Sequence, residues 1–87
     1  MNVPEAVQEI QRIQKQMNVA ADTATVASRT YEATMTLYNV AVMTGDKKMI
    51  EQRREELHTL LDTILDSGYE VGTGQREINR ISREVHD

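Results

Sequence analysis

Glu55 and His58 stand three residues apart, a spacing that on a helix sets a carboxylate beside an imidazole. Carboxylate-bridged di-iron bundles use that pair from each of two helices, and Glu32 from a second copy would be a further ligand. The neighbours argue for a plainer role. Leu57 lies on the apolar face, so Glu55 and His58 point outward as a surface pair, and Glu32 falls on a stripe turned away from the second helix. No metal or cofactor is expected. Arg76, Arg80 and Arg83 follow at i, i+4 and i+7, a stripe suited to phosphate. Glu77 and Glu84 are interleaved with it and the net charge is −4, which favours a solvated face with Arg80 and Glu84 paired over a nucleic-acid surface. Lys47-Lys48 opens the second helix at the end that the helix dipole disfavours for cations, a weak sign of a contact.

The inventory for catalysis is poor. There is no Cys, no glycine-rich phosphate loop after a strand, no nucleophile elbow, and only two His, so no enzyme is expected. Tyr31 and Tyr38 read as core residues with hydroxyls at the rim. Tyr69 sits among glycines beside Val71, where an aromatic either plugs the end of a bundle or meets a partner. The five Met are spread along the chain and suit adaptable packing.

The elements that must position these residues follow from a seven-residue register. With Val3 as position a, the a series reads Val3, Ile10, Met17, Ala24, Tyr31, Tyr38, and the d series Ala6, Ile13, Ala20, Ala27, Thr34, Ala41. From Gln16 a second series adds g positions Gln16, Thr23, Thr30, Leu37 and c positions Val19, Val26, Ala33, Val40. Between Ala20 and Met43 the only charged residues are Asp22, Arg29 and Glu32, all at b or f. An amphipathic helix hides one stripe; this one asks for cover on two flanks. Thr30 to Leu37 also alternates polar and apolar as a strand would, but for only eight residues, and the helical register runs far longer.

Asn2 is the expected cap of the first helix, with Pro4 in its first turn. Gly45 is suited to a left-handed C-terminal cap and Asp46 to the next N-cap, a link so short that the two helices must be antiparallel. The expected architecture is all-α: a helix over about 3–43, an antiparallel helix over about 47–66, a loop over 67–73 and a short helix over about 74–86, in one domain spanning 1–87. The second helix is expected to pack through Ile50, Leu57, Leu60, Leu61, Ile64 and Leu65, covering the a/d seam back to about residue 20. The last helix offers only Ile78, Ile81 and Val85 and covers the rest of that seam or part of the second stripe, but not both.

A chain of 87 residues buries only about 60% of the surface its unfolded form exposes, and without Cys it has no disulfide to add stability. Leu, Ile and Val number 19 in 87, just above the ~20% below which disorder is expected. The opening residues carry no basic and apolar signal, and no run approaches the ~20 apolar residues of a membrane span, so a cytoplasmic protein without membrane contact is expected.

The layout resembles the helical hairpins of type VII secretion substrates, with Thr44-Gly45-Asp46 where that family has Trp-x-Gly and with no Trp anywhere. Ile50 to Leu57 and Ser82-Arg83-Glu84-Val85 resemble parts of the small hairpin phosphatases of sporulation phosphorelays, with His86 in the place of their functional Asp. Each likeness covers less than half the chain and neither assigns a family. The expectation that remains is an oligomeric helical bundle, a homodimer or larger. Its function would be protein–protein interaction as an adaptor, small chaperone or inhibitor, and its interface would be Val19, Val26, Ala33, Leu37, Val40 and Tyr69.

Overall fold

The computed structural model describes residues 1–85 as two long helices folded back on each other. α1 runs Val3–Thr44 and α2 runs Lys47–Glu84. The alternation over residues 30–37 makes no strand, because those residues lie inside α1. At its start the Asn2 side chain accepts from the Glu5 N–H at 2.9 Å, and Pro4 occupies the first turn, where its missing donor costs nothing. At its end Gly45 adopts φ 70°, ψ 22°, a left-handed cap that other residues enter at a cost of roughly 1–2 kcal/mol. Asp46 then accepts from the Met49 N–H at 3.1 Å and starts α2. Every one of these devices acts within four residues of the chain.

The hairpin packs as the register of α1 requires. The six d residues, from Ala6 to Ala41, are the buried residues of α1, and Ile10, Met17, Ala24, Tyr31 and Tyr38 of the a series are half-buried. Ala at most d positions lets the axes approach closely. Large side chains gather at the open end, where Ile81 is fully buried with Ala6 and Ile13, and Ile10, Met17, Ile78 and Val85 pack around them.

Two expectations are corrected here. There is no loop over 67–73 and no separate third helix: α2 continues through Ser67, Gly68, Tyr69, Gly72 and Gly74, and of the expected last helix His86 lies outside the described residues. A heptad explains the continuity. Ile50, Leu57, Ile64, Val71, Ile78 and Val85 are seven apart throughout, so the stretch buries one face against α1, and that burial outweighs the ~1 kcal/mol each interior glycine costs. The seam of α1 is therefore covered down to Ala6 and not merely to residue 20. Leu61 and Leu65 are the second correction. They fall outside that heptad and its Leu60, Ser67, Gly74, Ile81 companion, and they are exposed, Leu65 by 63%.

Gly74 shows why the companion series needs small residues at this level. A Cβ there would lie 2.5 Å from the Met17 γ carbon and 3.3 Å from the Ile13 γ2 carbon, so the missing side chain is what admits both to the seam. Near the turn, Arg53 takes a seam position and donates through Nη1 to both oxygens of Glu56 at 2.9 and 3.0 Å, while its Nε is buried without a protein partner.

Candidate interaction surface

The c/g stripe of α1 sits about 110° around the helix from the a/d seam. α2 therefore covers the seam and leaves the stripe at the side of the hairpin. Val19 is 65% exposed and Val26 63%, and Leu37 and Val40 are about half exposed. Ala33 is exposed as well. Thr23 and Thr30, which interleave with these residues, donate their hydroxyls to the carbonyls of Val19 and Val26 at 3.0 and 2.9 Å. With the hydroxyls satisfied inside the helix, the threonines offer mainly their methyl groups to a neighbour.

Along this side the two helices enclose a shallow groove. Its middle is walled by Val19, Val26 and Thr30 of α1 and by Leu60 and Thr63 of α2. Toward the open end it continues between Val19, Gln16 and Met17 on one side and Tyr69, Thr73 and Gly74 on the other. Toward the turn it passes Thr30 and Thr34 opposite Gln52, Glu56 and Thr59. The α1 wall mixes apolar residues, Met17, Val19 and Val26, with threonines and with Arg12, Gln16 and Asp22, and the α2 wall carries carboxylates, Glu55 and Glu56 near the turn and Glu70 and Glu77 near the open end.

The structure thus brings Val19, Val26 and Tyr69 to one groove, while Ala33, Leu37 and Val40 stand exposed farther along the stripe, outside the lining of that groove. Tyr69 is in mid-helix and 73% exposed, so it does not plug the end of the bundle. Of the α2 wall only Tyr69 was foreseen from the sequence; the signal for the rest is the unbroken seven-residue spacing from Ile50 to Val85. Glu55, His58 and Glu32 are all exposed, and among the described residues no group of three His, Cys, Asp or Glu comes together as a metal site. Of the arginine stripe, Arg76 and Arg83 are exposed. Arg80 is engaged: it donates to Glu84 at 2.9 Å and to Glu77. Among the described residues no helix is long and apolar enough to cross a membrane.

Each helix carries an ion pair of its own near the open end. Arg12 donates to Glu9 on α1 and Arg80 to Glu77 on α2. Each carboxyl is held below the ordinary glutamate range, first by the hydrogen bond from its own arginine; across the helix boundary Glu9 is raised by the charge of Glu77 and lowered by that of Arg80, and Glu77 is lowered by that of Arg12. Arg80 is raised in turn by its bonds to Glu77 and Glu84. All are solvated surface pairs, so each contributes little to stability.

No family model, curated protein or solved structure matches the chain, so neither likeness drawn from the sequence acquires a family.

Proposed function

We propose that this hairpin is a protein–protein interaction module, of the adaptor, small-chaperone or inhibitor kind, that works as a homo-oligomer through the Val19, Val26, Ala33, Leu37, Val40 face. The observation that carries the reading is the exposure of that stripe, which no other element among the described residues covers. Each apolar side chain left in water forgoes part of the ~1.5–3 kcal/mol its burial would return. The surface of the whole chain points the same way. It exposes 6493 Å², where a compact 9.9 kDa protein exposes about 5,200 Å². The excess exceeds the roughly 800 Å² per partner that a standard interface removes.

Light scattering on the unaltered protein and on Val26→Asp tests the proposal. Val26 contributes little to the hairpin core, so the variant keeps its helical circular dichroism at concentrations where the assembly is absent. A buried carboxylate is unfavourable enough to abolish association, and the mass falls to that of one chain. A monomer for the unaltered protein at several hundred micromolar overturns the homo-oligomer, and equal association of the variant overturns the choice of face.

A further inference from the structure

We infer that the second copy lies antiparallel to the first, α1 against α1, about a two-fold axis level with the Val26 to Thr30 turn. This rests on the self-association proposed above and adds its geometry. The g and c positions from Gln16 to Val40 are spaced 3, 4, 3, 4, 3, 4, 3, a sequence of steps that reads the same in both directions. Reversed about residue 28, the stripe lands on itself with g always opposite c. Val19 then meets Leu37 of the second copy, Thr23 meets Ala33, and Val26 meets Thr30. Gln16 and Val40 form the outermost layer, at the ends of a contact about 36 Å long.

Packing selects this orientation over the parallel one. In a parallel pair each residue meets its own copy, so the Leu37 layer holds two isobutyl groups and the Ala33 layer two methyls, bulging at one level and hollow at the next. The antiparallel pair evens the layers. It sets the larger Val19 and Leu37 at both ends and the smaller Thr23, Val26, Thr30 and Ala33 at the centre, where two helices crossing at about 20° come closest. Thr23 and Thr30 enter that centre without leaving a donor unpaired, because their hydroxyls already bond the Val19 and Val26 carbonyls. With the c/g stripe about 110° from the seam, the second α1 sits beside α2, and the second α2 lies on the same side of the pair but splayed from the first, which leaves Glu56 and Glu70 in water. The charges bordering the stripe, Asp22 and Arg29, are at f and stay at the solvated rim.

The chain has no Cys, so introduced thiols report orientation without background. Val19→Cys and Leu37→Cys are made separately, checked for unchanged helicity and dimer mass, and oxidised alone and as an equimolar mixture that has exchanged subunits. The antiparallel dimer leaves each variant alone unlinked, since its two thiols are 18 residues apart in level, about 27 Å. The mixture links, in up to half of its dimers, and only between unlike chains. Disulfides within either variant alone establish the parallel pair and overturn the inference while leaving self-association intact. A dimer by light scattering that links in no sample lies on another face and overturns it as well. A monomer in every sample overturns the orientation together with the reading it rests on.

Discussion

Gly68, Gly72 and Gly74 lie within one stretch of α2 and have opposite meanings. A methyl group at Gly68 or Gly72 would meet nothing within 4 Å, whereas at Gly74 it would strike the Met17 γ carbon at 2.5 Å and the sulfur at 2.7 Å. The first two positions therefore carry the entropic cost of interior helical glycine with no packing need within the hairpin. Urea unfolding of the three alanine variants should separate them. Gly68→Ala and Gly72→Ala each raise the unfolding free energy by about 0.5–1 kcal/mol. Gly74→Ala lowers it, because overpacking at a cost of roughly 1–3 kcal/mol exceeds the same helical gain. An equal gain at all three would mean that Met17 swings out of the seam freely, and the close approach at Gly74 would not be what sets the spacing of the helices there.

At the scale of the elements, the open ends of α1 and α2 meet through the apolar cluster around Ile81, and the Glu9–Arg12 and Glu77–Arg80 pairs lie beside it, each within its own helix. Because both carboxyls sit below the glutamate range in the folded chain, their contribution is present above the unfolded value near pH 4.5 and is lost as the pH falls through the depressed folded values. The double variant Arg12→Gln, Arg80→Gln should accordingly unfold at lower urea than the unaltered protein near neutral pH, and the gap should narrow as both carboxyls become protonated in acid. A gap that persists in acid would assign the loss to the arginine stems and not to their charges. These elements were unevenly legible in the sequence. The caps at Asn2, Gly45 and Asp46 and the d seam could be read directly, since each depends on a few adjacent residues or on one helical period. The continuity of α2 could not, because three glycines argue locally for a loop, and only the burial of Val71, Ile78 and Ile81 against another part of the chain decides otherwise. For the same reason the α1 wall of the groove was visible in the spacing of Val19 and Val26, while on the α2 wall only Tyr69 was foreseen, and Leu60 and Thr63 waited on the path of the second helix.

The whole molecule is a rod 66 Å long and 14 by 12 Å across, measured on Cα atoms, with a radius of gyration of 19.4 Å against about 12 Å for a compact chain of this length. A single layer of two helices has no interior beyond one seam, and much of that seam is alanine, which returns little on burial. Helices of this length hold their shape in water mainly through packing. It follows that an isolated hairpin is marginal, and that a second copy seated on the c/g stripe would contribute a large part of the stability of the folded state. Linkage then makes that stability depend on concentration, since whatever binds only the folded chain draws the equilibrium toward it. Thermal unfolding followed by circular dichroism over a hundredfold range of protein concentration should show a midpoint that rises steadily. In Val26→Asp the midpoint should be lower and independent of concentration. A high midpoint that ignores concentration in the unaltered protein would mean that the lone seam suffices, and the exposed valines of α1 would then have no structural need of a second copy.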